Sequence, residues 1–442
     1  KKLLLLVVMM CLALTFASAA GTQELAEATA GEIVKFWGGG TPEEMHWFDA
    51  FYEETGLTVE CKVPWIDPEK LLAAIAAGSP PDAAFINMDP APQLAANKAL
   101  RAYDDYFEKL DISLDDFFDF SLTRGKFNGK QYALPWDLES HFFYWNKELF
   151  EEAGLDPEKP PKDWEELLEY SKKLTKIDSK GNVEQIGFQG KGAKEAWTFQ
   201  NAGFDLGSDG LSSNFGEPGF KEAYVEALEF AFSLPEVYGG DEALPADVKF
   251  GIREGNVAMI IDDAVWGFGD FVSNHQHINL GVSVPPGPNE NIQLSDGWAT
   301  WGLVLPAKSA NPLGGAMFAS FMASKGIGLD EKGRFESDPN KYNGRPVAHK
   351  PLLNEILNEW LPAISNEYTK YMHNTRAKLL ADNTKYSPPS PVYSTIQKKR
   401  NELWDKLEAG EITIRDYVDQ YADAIDNVLT EYVKERKAMG LM

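Results

Sequence analysis

The sequence is short of cysteine, histidine and positive charge. Two cysteines occur in 442 residues. One of them, Cys11, lies in an apolar N-terminal run, so the remainder holds a single thiol, Cys61, and has no internal disulfide available. A chain of this length does without such staples because its core suffices. Cys61 sits in an alternating apolar pattern and reads as a small buried hydrophobe. The six histidines (His46, His141, His275, His277, His349, His373) form no His-Glu-x-x-His set. Lys and Arg number 42 against 68 Asp and Glu, a formal net charge of −26. Such a surface repels nucleic acid and anionic lipid and suits neutral or cationic partners. Gly38 to Gly40 lack the Gly-Lys-Ser/Thr that completes a phosphate loop, and no Gly-x-Ser-x-Gly elbow occurs. Asp178 to Asn182 begins like a calcium loop but fails at its third and sixth positions, so it reads as a turn. No pattern calls for a metal or a cofactor, and none is expected. Beyond residue 20 no segment is long and apolar enough to cross a membrane.

What is present starts at the N-terminus. Lys1 and Lys2 precede an apolar run from Leu3 to Phe16, and Ala17-Ser18-Ala19-Ala20 follows. A basic start, a short apolar stretch and small residues at the end make residues 1–20 a secretory signal peptide, cut after Ala19 or Ala20. Residues 21–30 read as a tether. Cys11 lies in mid-run behind Met9 and Met10, which argues against a lipid anchor. The expected location is therefore periplasmic or extracellular.

The length exceeds one ordinary core, so two domains are expected. Glu32 to Trp37 alternates like a strand, and Gly38 to Gly40 break it. Thr41-Pro42-Glu43-Glu44 reads as a helix start, with Trp47, Phe48 and Phe51 on one face and Gly56 at the end. Leu57, Val59 and Cys61 mark a second strand. Asp67-Pro68 opens a helix with Leu71, Leu72 and Ile75 toward its core, and Ala83 to Ile86 is a third strand. This β-α-β-α-β order predicts a parallel sheet. Ligands bind beyond the carboxyl ends of such strands, here Trp37 to Gly40 and Asn87-Met88-Asp89. Further on, Gln131 to Leu134 is a strand, Asp163 with Glu166 a capping box, Phe250 to Ile261 a helix-like piece followed by an apolar run, 298–305 a strand, and the chain from 353 is helical with breaks at Pro388-Pro389 and Gly410.

Several blocks then match one known pattern. Gly129 to Trp136 continues through Tyr144-Trp145-Asn146-Lys147-Glu148-Leu149-Phe150 to Ala153-Gly154-Leu155 and ends in Pro160 to Leu167. Ala77 to Asp82, Phe250 to Met259 with Trp266, and Trp301 to Pro306 with Asn311-Pro312 agree in order and spacing. The chain resembles the extracellular solute-binding proteins of sugar ABC importers, the group that includes the maltose-binding protein. Trp145 stands where that family usually has Tyr. The resemblance implies an α/β, two-lobed periplasmic-binding-protein fold with a central ligand cleft and hinge crossings. The N-lobe would take residues 31–134 and 289–345, and the C-lobe 135–288 and 346–442, with a third hinge near Gly344 to Lys350. It also implies a monomer that serves a membrane permease, binds no nucleic acid and is not an enzyme.

A sugar offers flat C–H patches to aromatic rings and hydroxyls to carboxylates and amides. Of twelve tryptophans, Trp37, Trp136, Trp266, Trp298 and Trp301 fall at strand ends or in loops, while Trp47, Trp164, Trp360 and Trp404 sit on helix faces and read as core. Asn87, Asp89, Asp137 and Glu139 are the candidate hydroxyl partners, with Asp263 from the Asp262-Asp263 pair. Each has a structural alternative: a rim residue for Trp37, a turn cap for Asp89, a solvated acid for Glu139. Trp298 and Trp301 have opposite parity in a strand, so one of the two reaches a ligand; the resemblance selects Trp301, and selects Trp266 as a stacking residue. The number of loop tryptophans favours an oligosaccharide. Two other functions stay open: an exported glycoside hydrolase pairing Asp137 with Asp262 or Asp263, and a binder of another solute such as a polyamine.

Overall fold

A computed structural model describes residues 33–38, 47–63, 68–190, 193–263, 266–290, 295–297 and 301–439, with the backbone alone at 193–195, 263, 266 and 295–297. The expected signal peptide and tether, the helix start at Thr41 and Trp298 lie outside the described residues. In chain order the first strands are β1 (Ile33–Trp37), β2 (Thr58–Val63), β3 (Ala83–Asn87), β4 (Leu100–Arg101), β5 (Lys126–Phe127), β6 (Lys130–Gln131) and β7 (Ala133–Pro135). There follow β8 (His141–Asn146), β9 (Lys176–Ile177), β10 (Val183–Gln189), β11 (Val257–Asp263), β12 (Leu280–Ser283), β13 (Ser295–Gly297), β14 (Trp301–Pro306) and β15 (Thr384–Tyr386). Among the described residues no helix is long and apolar enough to cross a membrane.

The chain divides into two compact units. The first is Lys1–Asp137 with Thr300–Gly333 and Val347–Leu353; the second is Leu138–Ala299, Arg334–Pro346 and Asn354–Met442. These limits depart from the lobe limits read from the sequence, and hydrogen bonds account for the difference. Strand β13 pairs with β15, which assigns 295–297 to the second unit. There too the Tyr342 and Gly344 carbonyls accept bonds from His373 Nε2 (2.7 Å) and Arg376 Nη2 (2.6 Å). Val347 bridges Asp137, and His349 bridges Phe117, which ties 347–353 to the first unit.

The sheet of the first unit runs β2-β1-β3-β14-β4, with β7 also on β14. Strand β1 is parallel to both β2 and β3, as the β-α-β-α-β order predicts. The helix Trp47–Thr55 buries Trp47, Phe51 and Thr55, one per turn. Phe36 and Phe51 meet Phe318 edge-on at 5.0 and 5.1 Å. The helix Pro68–Ala76 buries Leu71 and Ile75. Leu72, expected toward the core, is 37% exposed, because it lies about 100° round the helix from Leu71.

The second unit has a mixed sheet, β12-β8-β11-β10-β9. Strand β8 is buried along its whole length, with β11 and β12 antiparallel on either side. Trp145, on this strand, is buried and its indole donates to the Pro157 carbonyl at 2.9 Å. Asp163 Oδ1 caps the helix Trp164–Leu174 by accepting from Glu166 N (2.9 Å). The return bond of the expected capping box goes one residue earlier, from Lys162 N to Glu166 Oε2 (2.9 Å). The helix-like reading of 250–256 is replaced by turns that end at Gly255, with φ +77, and the apolar run after it is β11. The helices Glu367–Asn383, Tyr393–Glu408 and Ile414–Ala438 follow, broken where the prolines and Gly410 predict. Asp178 makes the expected turn, its Oδ1 accepting from Lys180 N and Asn182 N.

Candidate functional site

Four strand ends converge at the carboxyl edge of the first sheet. The parallel strands β1 and β3 finish there at Trp37 and Asn87. Strand β14 runs the other way and begins there, Trp301 lying opposite Asn87. Strand β7 ends there as well, Pro135 lying opposite Gly302. Trp37, Asn87, Asp89, Trp136, Asp137 and Trp301, distant in sequence, thus come to one edge. The backbone crowds at this point. Gly38 has φ +98, and a Cβ there would lie 2.5 Å from the Phe85 carbonyl oxygen, so only glycine lets β1 turn away here.

The residues at this edge do different work. Trp301 is partly exposed and lies flat on Phe85, centroids 5.3 Å apart and planes 16° apart. Phe85 meets Trp136 edge-on at 4.8 Å, and Trp136 meets Trp47 at 6.5 Å. Trp136 is 5% exposed and Asp137 is 0% exposed. The expectation put both at the ligand surface; in the structure both are buried, and both are hydrogen-bonded to the Trp301 backbone. Asp137 Oδ1 accepts from Trp301 N at 3.1 Å, and Trp136 N donates to the Trp301 carbonyl at 2.9 Å. A buried carboxylate on a backbone N–H fixes where the indole stands, since an unpaired buried N–H is costly. Trp37 is half-buried against the cluster that includes Leu71, Ile75 and Ile86. Asn87 Oδ1 accepts from Asp89 N at 2.9 Å, an Asx turn that directs the chain after β3.

Sequence reasoning missed a residue here. Asp89 Oδ1 is ion-paired with Arg124 Nη1. The two side chains are 14% and 8% exposed, so a carboxylate expected to be a hydroxyl partner or a cap also compensates a nearly buried guanidinium. A separation of 35 positions hides the pair from local patterns; the one signal is an arginine next to Gly125 in an acidic chain.

In the second unit, Asp263 ends β11 opposite His141 at the start of β8, and Trp266 begins the helix Trp266–Asn274. Backbone geometry brings these two to the edge where Glu139 enters; the side chains of Asp263 and Trp266 lie outside the described residues. Glu139 is 4% exposed, and the Tyr386 hydroxyl clamps its peptide, accepting from Glu139 N (3.0 Å) and donating to Glu139 O (2.9 Å). It is a buried acid, not a solvated one. Asp262 pairs with Arg253 at 3.3 Å, and Arg253 Nε bonds Asp270 at 2.5 Å. Burial pushes the Asp270 carboxyl up, but the Asn274 amide and the Arg253 guanidinium together hold it below its ordinary value. Asp137 and Asp262, named as possible hydrolase acids, are thus engaged with a backbone N–H and with an arginine.

Comparison with known proteins places the chain in a family. A family model described as bacterial extracellular solute-binding protein matches residues 46–327. Over 220 residues the chain is 30% identical to the sn-glycerol-3-phosphate-binding periplasmic protein UgpB of Shigella dysenteriae serotype 1, covering 45% of this chain and 49% of that protein. The chain thus spans about half the length of this curated relative. Among solved structures it is similar to an ABC transporter solute-binding protein of Thermotoga lettingae bound with alpha-D-tagatose, at 21% identity and TM-score 0.68, over 90% of this chain and 100% of that one. It is also similar to the sugar-binding protein MalE of Xanthomonas citri, at 17% identity and TM-score 0.70, over 92% and 99%. These likenesses show the fold, the two-lobed periplasmic-binding-protein architecture expected from the sequence.

Proposed function

The chain belongs to the bacterial extracellular solute-binding protein family, and we propose that its solute is a sugar, captured outside the cytoplasm and passed to an ABC permease without chemical change. The observation that carries this reading is Trp301, an indole held flat on Phe85 at a strand-end edge and partly exposed there. A pyranose or furanose C–H face suits such a ring. Asn87 and Asp89 beside it supply acceptors for ring hydroxyls. Trp37 supplies a second ring on the same edge, which favours a ligand of more than one sugar unit. Asp263 and Trp266 are the proposed acceptor and platform of the second unit, and export through residues 1–20 and a monomeric state complete the reading. The alpha-D-tagatose bound to the Thermotoga lettingae protein and the sugar-binding description of the Xanthomonas citri one support the solute class.

A thermal-shift screen over mono- and oligosaccharides tests it. A saccharide at a hundred times its dissociation constant raises stability by about 2.7 kcal/mol, which shifts the midpoint clearly. A screen in which no saccharide moves the midpoint removes the sugar assignment. Appearance of new reducing ends during incubation with oligosaccharides points to a hydrolase instead.

A further inference from the structure

We infer that the first unit carries a second ligand site, apart from its carboxyl edge: a cavity that takes a small organic ammonium ion with an apolar body. The inference goes beyond the sugar reading and does not depend on it.

The cavity has a volume of about 240 Å³ and lies among the helix Trp47–Thr55, the helix Pro312–Phe321 with the residues that continue it, the segment 110–117 and strand β7. All of these belong to the first unit. None of Trp37, Asn87, Asp89, Trp136, Asp137 and Trp301 lines it. The first helix shows the separation. Trp47 meets Trp136 at the carboxyl edge, whereas Phe51 and Glu54, which line the cavity, lie one and two turns farther along.

The buried part of the lining is apolar, with Phe51, Phe117, Leu134 and Phe321. Thr55 is buried with them, but its hydroxyl already donates to the Phe51 carbonyl at 2.7 Å. An apolar cavity of about 150 Å³ is enough for benzene, so this one admits a benzene-sized body with a short polar arm.

The rest of the lining selects the charge of that arm. Glu54 is compensated by Lys325 at 2.6 Å. Asp111 and Asp116 line the cavity without an ion pair among the described residues. Lys350, next to His349 in sequence, is held by the Asp115 carbonyl (3.0 Å) and the Phe118 ring (5.7 Å). His349 lines the cavity as well, its ring centroid 5.5 Å from that of Phe117 and its Nδ1 buried without a hydrogen-bond partner. Burial holds this imidazole below its ordinary value although Asp116 pulls the other way, so at neutral pH it is uncharged and does not repel a cation. With the ring proton on Nε2, Nδ1 is an acceptor for an ammonium N–H. A cation thus meets negative charge and an acceptor beside an apolar floor, while an anion meets two carboxylates and a lysine already engaged.

Titration calorimetry on the full chain with 2-phenylethylamine tests the site, with 2-phenylethanol and 3-phenylpropionate as neutral and anionic probes of similar shape. The amine is expected to bind with one equivalent, at least about tenfold tighter than the alcohol, and the anion more weakly than either. Asp116→Asn keeps the shape of the side chain and should weaken the amine about fivefold while leaving the alcohol as it was. Ser320→Leu adds bulk to the lining and should weaken amine and alcohol together. Unfolding midpoints show which variants are folded, and the three-probe comparison on the unsubstituted chain needs no variant. Trp301→Ala, at the carboxyl edge, should leave the amine affinity unaltered. No amine binding at millimolar concentration overturns the inference, and so does equal affinity for amine and alcohol. An amine lost in Trp301→Ala and retained in Asp116→Asn is bound at the carboxyl edge, which overturns the second site. None of these outcomes touches the saccharide screen, so the sugar reading stands or falls separately.

Discussion

Both units stack aromatic rings, but the stacks end differently. In the second unit Trp164 lies parallel to Phe230 at 4.6 Å, Trp197 meets Phe230 at 5.0 Å and Phe188 at 5.6 Å, and the indole of Trp197 donates to the Pro286 carbonyl at 3.0 Å. Trp197 is 0% exposed, so that stack closes on itself. In the first unit the rings run Trp47, Trp136, Phe85, Trp301, and the last is partly exposed at a strand-end edge. The lesson is that a tryptophan count says little about a binding surface. What matters is whether a supported ring reaches the surface.

Substitutions at matching places separate the two kinds of stack. The largest effect is expected from Trp197→Ala. It empties a closed core and leaves a carbonyl unpaired, for a loss of about 3–5 kcal/mol in a denaturant unfolding curve. A loss under about 1 kcal/mol would mean that the second stack is not structural and would erase the contrast.

How far each stack was legible in the sequence follows the same line. The strands and helices around Trp37, Asn87 and Trp164 could be read because alternation, helical spacing and caps are local signals. The roles of Trp136 and Asp137 could not, because they depend on the partner of a backbone N–H 164 positions away in the chain. A loop residue after a proline looks exposed until the strand that covers it is known. Leu72 and the turns at 250–256 misled for a smaller reason: apolar residues adjoin in sequence without sharing a face. Arg124 was invisible because nothing near it in sequence signals an acid partner.

A smaller effect is expected at the acceptor of the Trp301 backbone N–H. Asp137→Ala leaves the Trp301 N–H without that acceptor, for a loss of about 1–3 kcal/mol, and weakens saccharide binding by displacing the ring. Asp137→Asn keeps an amide oxygen in the same place and retains most of both. Equal losses in the two variants, read by unfolding and titration together, would mean that the carboxylate charge matters and not the acceptor.

The smallest effect concerns pH and belongs to the second unit. Burial, then the neighbouring Arg376 guanidinium, hold His373 well below its ordinary value of 6.5, against the opposing bond to the Tyr342 carbonyl. The unfolded chain takes up a proton as pH falls through 6.5 while the folded one resists it. The stability that neutral His373 confers is therefore complete above that pH and declines below it, by less than about 2 kcal/mol between about pH 7 and pH 5. His373→Gln, which retains an N–H donor for Tyr342, should flatten this part of a urea-midpoint profile. An equally steep profile in the variant would assign the pH dependence to other groups.

The central claim is that Trp301 is the partly exposed end of a built aromatic support and the platform for a sugar. Titration calorimetry of Trp301→Ala with a saccharide that stabilises the unsubstituted protein tests it most directly, with the unfolding midpoint measured alongside. The account predicts at least about tenfold weaker binding, about 1.4 kcal/mol, with a midpoint close to that of the unsubstituted chain. Unchanged affinity would contradict it, and the sugar, if one binds, would have to be held elsewhere.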